Sequence, residues 1–153
     1  MNDQKPDFDR ESPDEGCRSV FHTTLRRLFT TLAPNSLACR FRYSAADPFA
    51  VGIDLVLPSG VTVTWVVARD LLAAGTRRPS GEGDFRAWPS GVREEAGRSL
   101  YFSLDRPEGH VTFEADLAGV RQWLDATYEL VPAGSECELL DWDVLEAALL
   151  GMD

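Results

Sequence analysis

The chain has 153 residues, 44% of them hydrophobic and 26% charged, and a formal net charge of −10. That length fits one domain able to bury about 70% of its unfolded surface, and eight Phe, four Trp and three Tyr are too many large apolar groups for a chain disordered throughout. No apolar run approaches the roughly 20 residues of a membrane span, and the acidic start MNDQKPDFDRESPDEG lacks the apolar core of a secretory signal, so the expected address is the cytoplasm.

The charge is segregated along the chain. Residues 1–16 carry six acids against Lys5 and Arg10, and residues 122–153 carry eight acids and no Lys or Arg. The remaining 11 acids and 13 bases leave residues 17–121 at +2. An acidic total lowers the odds of non-specific nucleic-acid binding, which draws its affinity from phosphate neutralisation. A weakly basic centre with clustered arginines keeps a basic face possible. Arginine occurs fourteen times and lysine once, at Lys5, which with the many Ala, Gly and Pro residues suggests a GC-rich bacterial genome. Cys17, Cys39 and Cys137 are odd in number and widely spaced. They form neither a disulfide framework nor a CxxC metal or redox pair, and are expected to be reduced.

Residues 1–16, polar, acidic and proline-containing, read as a disordered extension to a single domain over 17–153. In CRSVFHTTLRRLFTTL the recurrence of Val20, Phe21, Leu25, Leu28, Phe29 and Leu32 favours an amphipathic helix, while the threonines and aromatics equally suit a strand. The periodicity alone predicts a helix. CRFRY alternates as a strand, with Cys39, Phe41 and Tyr43 on one face and Arg40 and Arg42 on the other. AVGIDLVL and VTVTWVVA form a hairpin around Pro58–Gly60, with Val63, Trp65 and Val67 as the inward face of a central strand. ARDLLAAG reads as a short helix capped by Asp70 and ended by Gly75.

Glycines and prolines then make residues 75–91 a long structured loop, suited to subunit or partner contacts. SLYFSL and HVTFEA are strands around DRPEG. A helix is predicted over about Leu117–Glu129, with Leu117, Val120, Leu124 and Tyr128 inward, ended by VPAG. A last amphipathic helix is predicted over about Asp141–Leu150. The fold class is α+β.

Groups able to carry chemistry are few. His22 lies in the ambiguous first element and His110 opens a strand beside a turn, so each reads as a histidine without a chemical role. Gly81-Glu82-Gly83 starts like a dinucleotide fingerprint, but position 86 is Arg86 and no strand leads into it, so it reads as a loop pair. Asp141 and Asp143 have a calcium-loop spacing that Leu145 breaks, and carboxylates at a helix start explain them better. Arg77, Arg78, Arg86 and Arg93, with Phe85 and Trp88, are the one basic and aromatic cluster, a composition used to stack single strands. The simpler reading packs the aromatics inward and pairs the arginines with Glu82, Asp84, Glu94 and Glu95. Catalytic, cofactor-binding and metal-binding residues are assigned to none.

YSAADPFAV (43–51), VTWVVARDLLAAG (63–75) and RPSGEGDFRAWP (78–89), followed by RPEGHVTFEA (106–115), two helices and a VPAG turn, resemble the SsgA-like proteins of sporulating actinobacteria. The resemblance covers about residues 17–150. The acidic 1–16 segment and the stretch Arg93 to Arg98 depart from the family pattern. It implies a trimeric, bell-shaped architecture of twisted antiparallel sheets with helices, similar to the Whirly single-stranded-DNA-binding proteins. It also implies a strand at about Val20 to Phe29, against the helical periodicity. The implied role is that of a non-enzymatic regulator of sporulation-specific cell division without cofactors. Such a protein works as an adaptor at the septum, with FtsZ, another SsgA-like protein, or a septal or cell-wall protein as partner. A single-stranded nucleic-acid-binding module is the alternative that the implied architecture suggests.

Overall fold

A computed structural model of the chain describes residues 18–31, 33, 35–90, 98–139 and 149–151. The extension expected over 1–16, Cys17, Arg93 and most of the last predicted helix lie outside them.

The first element is a strand, β1 (Arg18–Arg27). The helical periodicity misleads because a second pattern runs through the same residues. Arg18, Val20, His22, Thr24 and Arg26 alternate with Ser19, Phe21, Thr23 and Leu25, and nine consecutive pairs join them to β2 (Ser36–Ser44). A period-two pattern with β-branched threonines can bury one face of a sheet, and antiparallel pairing satisfies its backbone. The turn between the two strands carries Phe29 at φ 58° and 90% exposed. β2 places Cys39, Phe41 and Tyr43 in the core and turns Arg40 and Arg42 to the other face, as its alternation predicts. β3 (Ala50–Val56) and β4 (Thr62–Ala68) form the expected hairpin. Val63, Trp65 and Val67 do face inward, but β4 is an edge strand of the sheet and not a central one.

α1 (Arg69–Gly75) follows. Ala68 occupies its cap position without a side-chain bond, and the Asp70 carboxylate instead accepts from the Tyr128 hydroxyl at 2.8 Å. Gly75 does more than end the helix, because a Cβ there would stand 2.5 Å from Ala87 Cβ. That close approach lets the helix settle on β5 (Phe85–Pro89), a five-residue strand inside the stretch expected to be a loop. β6 (Ser99–Arg106) and β7 (Gly109–Asp116) meet at the predicted turn. α2 (Leu117–Leu130) is capped by Asp116, whose carboxylate accepts from Gly119 N at 3.2 Å. It buries Leu117, Val120 and Leu124 as expected, and Trp123 as well, while Tyr128 is half-buried.

The strands form one antiparallel sheet in the order β4-β3-β2-β1-β7-β6-β5. Its centre is a seam, since β1 and β7 are registered only at Arg26↔Glu114 and Arg27↔Phe113. The Phe41 and Phe102 rings lie 6.4 Å apart although β1 and β7 stand between their strands. In a flat sheet three strand spacings would separate them by about 14 Å. The sheet therefore curls at the seam until its halves face each other, with Trp123 filling the fold against Phe41 at 5.6 Å.

Candidate functional site: two arginine centres and an outer sheet face

The curl leaves the even-numbered positions of β1 to β4 on a common outer face. The strand registers set them in rows. His22 stands opposite Arg40, Arg40 opposite Asp54, and Asp54 opposite Thr64. One row along, Val20, Arg42, Gly52 and Val66 align. Asp54 is an acid inside an otherwise apolar strand, with its side chain only 2% exposed. An unpaired carboxylate there would be costly, and it is not unpaired. Arg42 donates to it through Nε and Nη2 at 2.7 and 3.0 Å, Arg40 through Nε at 2.8 Å, and Thr64 through its hydroxyl at 2.7 Å. Burial pushes the carboxyl upward, and these donors outweigh it and hold the group at about 2. The Arg42 guanidinium reaches Asp54 by lying across Gly52, where a Cβ would stand 2.7 Å from Nη2.

Asp54 thus fixes two guanidinium groups without spending them. Among the described residues the terminal nitrogens of Arg40 and Nη1 of Arg42 make no hydrogen bond. With Arg18, Val20, His22 and Thr64 they line a groove of about 470 Å³. The Arg40 and Arg42 guanidinium groups against the one Asp54 carboxylate leave this face cationic in a chain of net charge −10.

The second arginine centre lies in the core. Arg69 is fully buried, with its guanidinium carbon 4.7 Å from the Tyr43 ring centre and 3.9 Å from that of Tyr128. It donates to the Thr127 carbonyl at 2.9 Å and to Glu136 Oε2 at 2.7 Å, while its Nε has no partner among the described residues. Glu136 Oε1 in turn accepts from Gly134 N at 2.9 Å. The Arg69 bond holds the Glu136 carboxyl below its ordinary range, and burial followed by the Asp70 bond pushes the Tyr128 phenol up. One cation therefore ties the start of α1, the end of α2 and the turn Glu136–Leu139 to β2.

The groups singled out in the sequence are dispersed. His22 is exposed on the arginine face, whereas His110 contacts Asp105 and Thr112 at the β6–β7 turn. Gly81 and Gly83 have positive φ in a loop leading into β5. Phe85 is buried in the core, but Trp88 and Arg86 face outward, with Trp88 5.9 Å from Tyr101. Arg77, Arg78 and Arg86 are exposed and make no ion pair with Glu82 or Asp84 among the described residues. Asp141 and Asp143 lie outside those residues. Among the described residues no group of three or more His, Cys, Asp or Glu side chains is placed to hold a metal ion, and no helix is long and apolar enough to cross a membrane. Burial raises the Cys39 thiol to about 12, which leaves it a poor nucleophile.

The family model described as Streptomyces sporulation and cell division protein, SsgA, matches residues 37–136. The sporulation-specific cell division protein SsgB of Frankia casuarinae is 41% identical over 118 residues, which are 77% of this chain and 80% of that one. SsgB of Thermobifida fusca is 40% identical over 111 residues, 72% of this chain and 79% of that one. The crystal structure of an SsgA-like sporulation-specific cell division protein from Thermobifida fusca superposes with a TM-score of 0.76 at 35% identity, covering 90% of this chain and 98% of that one.

Proposed function

Because this chain belongs to the SsgA family of sporulation and cell division proteins, we propose that it is a non-enzymatic adaptor that helps to recruit or position the division machinery at the septum during sporulation. The observation that carries this reading is the run of SsgB relatives at about 40% identity over most of the chain. In this reading the direct partner is FtsZ, another SsgA-like protein, or a septal or cell-wall protein. The working form is a homotrimer of the 17–153 domain, with 1–16 as an appendage.

The rival reading, a single-stranded nucleic-acid module, draws on outward-facing Arg86 and Trp88. It gains nothing from the cationic face, whose outward positions on β1 to β4 hold no Phe, Tyr or Trp on which bases could stack. The test is co-sedimentation of the full chain with polymerised FtsZ of the same organism, alongside a gel shift with single-stranded DNA. Co-pelleting without a shift is the expected result. A shift without co-pelleting would overturn the adaptor in favour of the nucleic-acid module. Light scattering should give a trimer, and a monomer would remove that part.

A further inference from the structure

We propose that the outer face of β1 to β4 is a docking site for an acidic, extended peptide segment of a protein partner, read by Arg40 and Arg42. The proposal rests on the adaptor reading above and names the chemistry of its contact surface. Four observations carry it.

Asp54 holds Arg40 through Nε and Arg42 through Nε and Nη2, which leaves the terminal nitrogens of Arg40 and Nη1 of Arg42 to the groove that both side chains line. A planar guanidinium with two free donors matches the fork of a carboxylate. Because the buried carboxylate already fixes both side chains, a ligand meets pre-ordered donors and does not bear the cost of ordering them.

The second observation is charge. The groove is cationic within a chain of net charge −10, so an acidic ligand is attracted here and repelled by the acidic C-terminal stretch 122–153, which holds Asp125 and Glu129 on α2. Such segregation steers a partner to one surface.

Third, the arginines are bracketed along their row by outward-facing Val20 and Val66, 36% and 65% exposed, which can take the apolar side chains of a peptide. Fourth, the absence of outward Phe, Tyr or Trp on these four strands, with Asp54 at the centre, disfavours a nucleic-acid strand on the same surface.

The test is fluorescence titration of the full chain with a labelled Glu-Ser repeat peptide. A Gln-Ser repeat and a single-stranded thymine oligonucleotide of similar length run in parallel. Saturable binding of the Glu-Ser peptide alone, weakening with added salt, is expected. Arg40→Gln and Val66→Glu should each weaken it by about tenfold. Val66→Glu keeps the test sound if Arg40→Gln unfolds, since Val66 is 65% exposed and takes no part in the Asp54 hydrogen bonds. No binding of the Glu-Ser peptide, binding indifferent to Val66→Glu, or tighter binding of the oligonucleotide would each overturn the proposal. FtsZ co-pelleting that survives Val66→Glu would overturn this face as the docking surface and leave the adaptor reading standing. Failure of the unaltered chain to pellet would strike the adaptor reading, and the peptide titration would still decide the face.

Discussion

At Arg69 both members of the ion pair are buried, whereas at Asp54 only the carboxylate is. The two centres put the same kinds of charged group to different ends. A buried guanidinium must find its acceptors within the protein, so Arg69 collects a carbonyl, a carboxylate and two aromatic faces from three separate segments. Its geometry is convergent and serves cohesion. A buried carboxylate has only two oxygens, so its donors must come from outside and their far ends must point away. The geometry at Asp54 is therefore divergent, and it presents ordered donors at the surface. Whether both members of an ion pair are buried, or the carboxylate alone, decides whether the pair closes the structure or offers it to a partner.

Arg69→Ala would break this contrast most severely. It leaves Glu136 without its cation and opens a void between Tyr43 and Tyr128. A loss of about 3–5 kcal/mol in urea unfolding is expected. A loss below about 1 kcal/mol would show that Arg69 is not the tie inferred from its contacts.

Asp54→Asn keeps the shape but sets two guanidinium groups against a neutral amide. It should cost about 2 kcal/mol and loosen both arginines, visible as altered guanidinium signals in NMR. Unchanged arginine signals would mean that something other than Asp54 positions them.

Acid should reveal the same bond. The folded Asp54 carboxyl lies at about 2, below the ordinary carboxylate value near 4. Its stabilisation is thus complete above the unfolded value and lost as pH falls from roughly 4 toward 2. Glu136, also lowered, contributes with the same sign. Unfolding free energy measured against pH should drop through that window, and Asp54→Asn should flatten the drop. An equally steep drop in the variant would assign it to other carboxylates. The smallest effect belongs to Thr64→Val, which removes one 2.7 Å hydroxyl bond and should cost about 1 kcal/mol in the same urea assay. No loss at all would mean that the two arginines satisfy Asp54 unaided.

Much of the fold was legible because alternation is a local property. β2, the β3–β4 hairpin, β6, β7 and α2 can be read from their own residues. β1 was ambiguous because its apolar residues satisfy two periods at once, and only pairing with β2 decides between them. β5 was hidden because Phe85–Pro89 is five residues long, ends in proline and follows two glycines. The candidate site was half visible. Arg40 and Arg42 could be assigned to the outward face of CRFRY, and an aspartate inside AVGIDLVL signals a buried charge that needs partners. Their meeting depends on the register between β2 and β3, and no short stretch of sequence encodes a register.

The seam between the sheet halves also bears on how the molecule assembles. Every strand pairs with a neighbour in chain order except at β1 and β7, where Arg26 meets Glu114 across 88 positions. Two meanders, β1 to β4 and β5 to β7, can thus form from short-range contacts, and only their union must close a long loop. Refolding is expected to separate into a fast phase, in which each meander zips up alone, and a slower one in which Trp123 is shielded as the halves join.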